Sequence, residues 1–102
     1  MSENELVELA KCAVRTWGYE SQINMMIEEC AECIKALVKL KRKINGVSIY
    51  EAIGEFVDVE IMLTQMKVMF PNPAWLSRRY DKIERLKKLL DEANKEVSTI
   101  EP

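Results

Sequence analysis

The chain contains no histidine, and it has only three glycines, three prolines and three cysteines among its 102 residues. Without histidine, Ser-His-Asp and Cys-His hydrolysis are excluded, as are the Glu-x-x-His ligand sets of di-iron four-helix bundles. Three cysteines are an odd number, so a disulfide framework is not expected. Cys30 and Cys33 form a C-x-x-C pair, but a zinc site would need further Cys or His ligands. We therefore favour ordinary packing for this pair over a zinc or redox role.

Long apolar runs and an excess of basic charge are also missing. No run reaches the roughly 18 residues of a membrane span, and the acidic start Met-Ser-Glu-Asn-Glu does not resemble a signal peptide. A net charge of -2 argues against a general nucleic-acid binder. We expect a soluble, cytoplasmic protein with neither a nucleic acid nor a membrane as partner.

The composition, 48% hydrophobic and 31% charged, is typical of a globular protein. The length predicts one domain, residues 1–102, near the size at which a single core is barely sufficient. Self-association is therefore expected.

Apolar residues recur at helical spacing along the whole chain, and no stretch shows the alternation of a strand. We predict four helices, at about 4–16, 20–43, 48–69 and 73–97. The expected boundaries are Gly18, the turn Asn45-Gly46, the N-cap Ser48 with Glu51 three residues on, and Pro71 followed by Asn72-Pro73. Short connections make an antiparallel four-helix bundle, an all-α fold, the default architecture.

Two acidic patterns lie inside the second and third predicted helices: Glu28-Glu29-Cys30-Ala31-Glu32 and Glu55-Phe56-Val57-Asp58. Side chains three or four residues apart meet on one helix face, about 5 to 6 Å from each other. Carboxylates that close repel, and burial increases the penalty. A hard divalent cation removes that penalty, and magnesium combines one or two carboxylates with waters and substrate phosphates. The patterns therefore favour a magnesium site.

The apolar residues around these acids strengthen the case for a metal site against an ordinary solvated acidic face. The third helix is apolar around nearly its whole circumference, so we predict that it is buried on most sides. Glu29 borders a second, partly apolar surface of the second helix. The main core stripe of that helix is predicted to be Ile23, Ile27, Cys30, Ile34, Leu37, Val38 and Lys41. These residues alone leave a metal site and a solvated acidic face equally open.

The run Trp17 to Ala36, together with Gly54-Glu55-Phe56-Val57-Asp58-Val59, resembles the all-α nucleoside triphosphate pyrophosphatases, specifically MazG-like proteins. That family has Glu-x-x-Glu, a gap of a dozen to nearly thirty residues, and then Glu-x-x-Asp. Here the gap from Cys33 to Gly54 is 22 residues, and the resemblance covers about half of the chain.

The resemblance implies an activity and a ligand set. It implies hydrolysis of a nucleoside triphosphate to the monophosphate and pyrophosphate, with Mg²⁺ as cofactor, Mn²⁺ as its substitute, and a homodimer or homotetramer as the assembly. The implied metal ligands are Glu29, Glu32, Glu55 and Asp58, and Glu28 is an auxiliary acid that completes the catalytic set.

Cations are expected to balance the charge that remains on the triphosphate. Arg78, Lys82 and Arg85 share one face of the fourth helix at spacings of four and three residues. Because the resemblance implies basic residues from a late helix, Lys82 and Arg85 are favoured, with Lys35 and Lys39 as weaker candidates. A solvated basic face remains the alternative for each.

Trp17, Tyr19 and Gln22 precede the acidic helix and could stack on and hydrogen-bond a nucleobase. Packing in the core is favoured for Trp17. Nothing in the sequence distinguishes one nucleotide from another. The alternatives are dUTPase-like or phosphoribosyl-ATP pyrophosphohydrolase-like activity in the same superfamily, or a catalytically silent helical module that binds nucleotides or protein partners.

Overall fold

A computed structural model describes the backbone of residues 1–42 and 48–100, and the side chains of residues 1–42 and 48–95. In that part of the chain there are four α-helices and no strand. The helices are α1 (Glu3–Trp17), α2 (Tyr19–Arg42), α3 (Ile49–Met69) and α4 (Ala74–Ile100). The prediction of an all-α chain with four helices is confirmed, while the predicted Asn45-Gly46 turn lies outside the described residues.

Three helix starts are fixed by side chains that accept a hydrogen bond from an otherwise unpaired backbone N–H. Ser2 caps α1, where its hydroxyl oxygen accepts from the Glu5 amide at 3.2 Å. Ser48 caps α3 in the same way, as predicted, with the Glu51 amide at 3.1 Å. At the start of α4, the Ala74 amide donates to the Asn72 side chain at 2.8 Å, as the Asn72-Pro73 signal predicted.

Gly18 separates α1 from α2 with a single non-helical residue. Its φ of 87° and ψ of 162° lie in a region that is essentially restricted to glycine. Its amide still donates to the Val14 carbonyl oxygen at 2.9 Å, so the last turn of α1 is closed. The next helix, α2, begins at Tyr19, which confirms the predicted break.

The chain divides into two compact units, residues 1–71 and 72–102. In the first unit, α3 packs against both α2 and α1. The buried apolar residues of this unit are few and mostly small: Ala10, Val14, Ala36, Ala52, Met62 and Met69. So small a core removes little apolar surface from water, which limits its contribution to stability.

The predicted core face of α2 is wrong for the single chain. Ile27 and Ile34 are each 62% exposed, and Ile23, Leu37 and Val38 are also exposed. The buried residues of α2 are instead Gln22 and Ala36, on the second surface that Glu29 borders. The physical reason is that α2 has two partly apolar faces, and helical periodicity alone does not identify the one that meets α3.

The prediction that α3 is buried on most sides is also wrong for the single chain. Only four of its residues are buried: Ala52, Met62, Gln65 and Met69. Ile53, Val57, Ile61 and Leu63 remain exposed. Two neighbouring helices cover part of its circumference, and the rest of its apolar surface faces outward.

The second unit contains α4. Every described side chain of this helix, from Ala74 to Lys95, is exposed, including Leu76, Tyr80, Ile83, Leu86, Leu89 and Leu90. None of the helices in the described part of the chain is long and apolar enough to cross a membrane. All three cysteines are free thiols.

Candidate metal centre

Helices α2 and α3 run antiparallel in a register that is marked by a buried pair of amides. The Gln22 side chain donates a hydrogen bond to the Gln65 side chain across the interface, and both residues are buried. Glu29 lies seven residues after Gln22, and Asp58 lies seven residues before Gln65. Seven residues are about two helical turns, so the two acids face each other two turns above the amide pair.

Three carboxylates converge at that level. Glu29, Glu55 and Asp58 each offer one oxygen, and these oxygens all lie within 4.8 Å of one another. Glu29 and Glu55 are half-buried, whereas Asp58 is exposed. Glu29 comes from α2 and the other two from α3, so the packing of the two helices creates the cluster.

The cluster changes the proton affinity of Glu29. Burial raises the pKa of the Glu29 carboxyl above its ordinary value of 4.5, and the negative charge of Asp58 raises it further. A hydrogen bond with Asp58 and the charges of Glu55 and Glu28 act in the same direction. Burial and the neighbouring acids therefore both disfavour the ionised form of Glu29.

The donor set fits a hard cation. All three converging ligands are carboxylate oxygens, the type that magnesium and manganese prefer, and no sulfur or imidazole belongs to the group. A divalent cation would remove the repulsion among the acids. Water and a phosphate oxygen would have room to complete the coordination shell, because Asp58 is exposed.

Two further predicted acids lie close by in different settings. Glu32 is not among the three converging residues, but it lines a groove together with Glu55. Glu28 is exposed and acts on Glu29 through its charge. Of the four predicted metal ligands, the structure therefore brings three together and puts the fourth beside Glu55.

The groove adjoins the cluster on the side of the α2 C-terminus and the α3 N-terminus. It has a volume of about 170 Å³. Its lining consists of charged residues and two alanines: Glu32, Lys35, Ala36, Lys39, Glu51, Ala52 and Glu55. Glu55 belongs to both the groove and the cluster, so the two features form one continuous site.

Two of the three residues predicted for base recognition, Trp17 and Gln22, differ in burial from what their expected roles require. Trp17, for which core packing was favoured, is 63% exposed. Gln22, a candidate contact to the base, is buried and uses its amide on Gln65. Tyr19 forms an edge-to-face contact with Phe70, with ring centroids 6.5 Å apart.

The predicted cations of the fourth helix belong to the second unit. Arg78 pairs with Asp81 at 3.7 Å, and Lys82 and Arg85 are exposed. Their part in binding a substrate stays a prediction. Lys35 and Lys39, the weaker candidates from the sequence, both line the groove in the first unit.

Sequence reasoning missed Gln65 and the groove residues Glu51 and Ala52 as parts of the site. Gln65 had a detectable signal, since it is a polar residue in a strongly apolar helix, two turns from Asp58. Glu51 was assigned only to helix capping. Ala52 carries no chemical signal, because its contribution is its small size.

Comparison of the chain with protein-family models, with curated proteins and with solved structures found no match.

Proposed function

We propose that this protein is a magnesium-dependent nucleoside triphosphate pyrophosphohydrolase of the MazG-like type, which cleaves a triphosphate to the monophosphate and pyrophosphate. The observation that carries the proposal is the convergence of Glu29, Glu55 and Asp58 within 4.8 Å across the α2–α3 interface. Acids on a merely solvated face would spread apart, whereas these three approach one another and raise the pKa of one member.

Each acid has a role in this proposal. Glu29, Glu55 and Asp58 hold the cation, and Glu32 joins them from the groove. Bound Mg²⁺ would neutralise the triphosphate and lower the pKa of a water molecule. We assign to Glu28, next to Glu29 on α2, the orientation of the attacking water and the acceptance of its proton.

A covalent intermediate is not part of the proposal. The chain has no histidine to activate a serine or cysteine. Direct attack by water on the phosphorus atom that links the nucleoside to the pyrophosphate gives the two products in a single step. Mn²⁺ is the expected substitute, because it accepts the same oxygen ligands.

We also propose that the active form is a homodimer or homotetramer. The exposed stripe Ile23, Ile27, Ile34, Leu37 and Val38 on α2 supports this, as do Ile53, Val57 and Ile61 on α3. Apolar patches of this kind on a small protein mark interaction surfaces. A second copy that covers them would enlarge the small core of the single chain.

The activity is tested by incubating the pure protein and Mg²⁺ with each of the eight common nucleoside triphosphates, with dUTP and with phosphoribosyl-ATP, and then resolving the products. Monophosphate and pyrophosphate are expected from at least one nucleotide. Diphosphate and orthophosphate would contradict the proposal. Turnover of dUTP alone would indicate the dUTPase-like branch, and turnover of phosphoribosyl-ATP instead would indicate the other branch. No turnover of any of them would favour the silent binding module.

A further inference from the structure

We propose that the groove between α2 and α3 binds the phosphoryl groups that leave as pyrophosphate, with Lys35 and Lys39 as their contacts. The choice of ligand rests on the proposed function. The assignment of the groove rests on its shape, its charges and its continuity with the acid cluster.

The shape of the groove follows from two short side chains. Ala36 on α2 and Ala52 on α3 are both buried and both line the groove. Larger residues at these positions would fill the space between the helices. The resulting volume of about 170 Å³ is smaller than the roughly 300–1,000 Å³ of pockets that enclose a whole small molecule. It therefore suits a phosphate chain and not a complete nucleotide.

Two of the acids and the two lysines lie at opposite ends of the groove. Glu32 and Glu55 line the end next to the cluster, where the cation is proposed to bind. Lys35 and Lys39 follow Glu32 by three and seven residues, so they lie about one and two turns further along the same face of α2. A magnesium-bound pyrophosphate has the complementary pattern, with the cation at one end and free phosphate oxygens at the other.

The two lysines are available for an anion. Among the described residues neither forms a salt bridge, whereas Lys11 and Lys87 are paired with neighbouring glutamates. Lys39 is half-buried, and a partly buried ammonium group is stabilised by an opposite charge. Glu51 is the one acid that lines the groove beyond the two at the cluster end, and its charge opposes the binding of an anion.

This placement gives the substrate a direction. From the cluster, the groove runs toward the C-terminus of α2 and the N-terminus of α3, because Lys35 and Lys39 follow Glu32 and Glu51 precedes Glu55. The leaving phosphoryl groups point along this direction. The nucleoside is then on the opposite side of the acids, outside the groove.

Titration calorimetry with inorganic pyrophosphate and Mg²⁺ on the full chain tests the inference. Lys39→Gln and Lys35→Gln should each weaken binding about tenfold, the effect of losing one charge-assisted contact. Glu51→Gln should strengthen binding, because it removes an anion from the same groove. Lys11→Gln, an exposed lysine on α1, is the matched control and should bind within about twofold of the natural protein. Lys39→Arg should restore most of the affinity.

A second ligand separates a local contact from a general loss of structure. The four deoxynucleoside monophosphates, titrated with Mg²⁺, should bind Lys39→Gln and the natural protein equally well. The inference would be overturned if Lys35→Gln and Lys39→Gln bound pyrophosphate as tightly as Lys11→Gln. It would also be overturned if these variants lost monophosphate and pyrophosphate binding in parallel, or if the natural protein did not bind pyrophosphate.

The outcomes for the groove and for the proposed function are distinct. Hydrolysis of a triphosphate with lysine-independent pyrophosphate binding would leave the function standing and remove the groove assignment. Lysine-dependent binding of pyrophosphate without hydrolysis of any nucleotide would support the groove as a pyrophosphate site and would refute the proposed enzymatic activity.

Discussion

Glu29 on α2 and Asp58 on α3 face each other across the helix interface, with carboxylate oxygens within 4.8 Å of each other. Burial and three neighbouring carboxylates raise the pKa of the Glu29 carboxyl. The free protein thus stores repulsion at the point where we propose that a cation binds. The first predictions concern this stored repulsion.

Glu29→Gln should stabilise the metal-free protein at neutral pH. Glutamine keeps the size of the side chain and removes the charge that Asp58 and Glu55 oppose. We expect the melting temperature in EDTA to rise by a few degrees, as about 1 kcal/mol does in a domain of this size. Glu8→Gln, an exposed position on α1, is the control, and a fall in the melting temperature of Glu29→Gln alone would make the carboxylate structural.

The stability of the metal-free protein should depend on pH through the same group. The pKa of Glu29 is higher in the folded chain than its ordinary value of 4.5. Its favourable contribution is therefore fully present below pH 4.5 and is lost as the pH rises through the folded pKa. Urea unfolding in EDTA, measured from below pH 4.5 to neutral pH, should show this decrease in the free energy of unfolding of the natural protein. The decrease should be smaller in Glu29→Gln. An identical pH dependence in both proteins would contradict the assignment.

Asp58→Asn and Glu32→Gln should abolish most of the hydrolytic activity while the helical content stays unchanged. We expect a loss of at least about 100-fold for Asp58→Asn, which removes a charge from the converging set. Glu32→Gln should lose less activity than Asp58→Asn, because Glu32 lines the groove with Glu55 and is not one of the three converging acids.

Glu60→Gln provides the control for these two variants, since Glu60 is an exposed acid on α3 outside the cluster. Its activity should equal that of the natural protein. Circular dichroism monitors folding in each case. A collapse of helicity in Asp58→Asn would show that the acid maintains the fold and would remove the argument for a metal ligand.

The Gln22–Gln65 pair should control the alignment of the acids. Gln22→Leu alone leaves the buried Gln65 amide without its partner, so we expect a destabilisation of about 1–3 kcal/mol. The double change Gln22→Leu and Gln65→Leu should recover stability, because two leucines pack without unsatisfied polar groups. If the amides set the register, the double variant should nevertheless bind Mn²⁺ more weakly. Unchanged Mn²⁺ affinity in the stable double variant would limit the pair to a structural role.

Charges placed on the exposed stripe of α2 should prevent self-association. Ile27 and Ile34 are 62% exposed in the single chain. Ile34→Glu should therefore leave the monomer folded, but it should weaken association because a charge would be buried in an apolar interface. Light scattering after size exclusion should show a shift to the monomer mass. Leu9→Glu, at an exposed position on α1, is the control. A natural protein that elutes as a monomer would refute the proposed assembly.

Local features of the fold were predictable because the backbone chemistry of a few residues decides them. Ser48 offers a hydroxyl to an unpaired amide, and Gly18 adopts a positive φ that other residues avoid. Such signals do not depend on the rest of the chain. They explain why the helix boundaries on either side of these residues agree with the sequence prediction.

The faces of the helices were less predictable because they depend on which neighbour is present. The stripe through Ile27 and Ile34 is apolar enough for a core, yet α3 packs on the face that carries Gln22 and Ala36. Periodicity reports that a face is apolar and does not report what covers it. The acids could be placed correctly on their helices, but their convergence required the antiparallel register, which only the packed structure supplies.

The one-residue break at Gly18 has a consequence for how the chain could exchange partners. A Cβ at this position would meet no atom within 4 Å, so the obstacle to another residue is its φ of +87° and not a lack of space. A residue that avoids this angle would favour fusion of α1 and α2 into one long rod. The α1 segment would then be carried away from α3 of its own chain and could pack on α3 of another, which is the geometry of domain swapping.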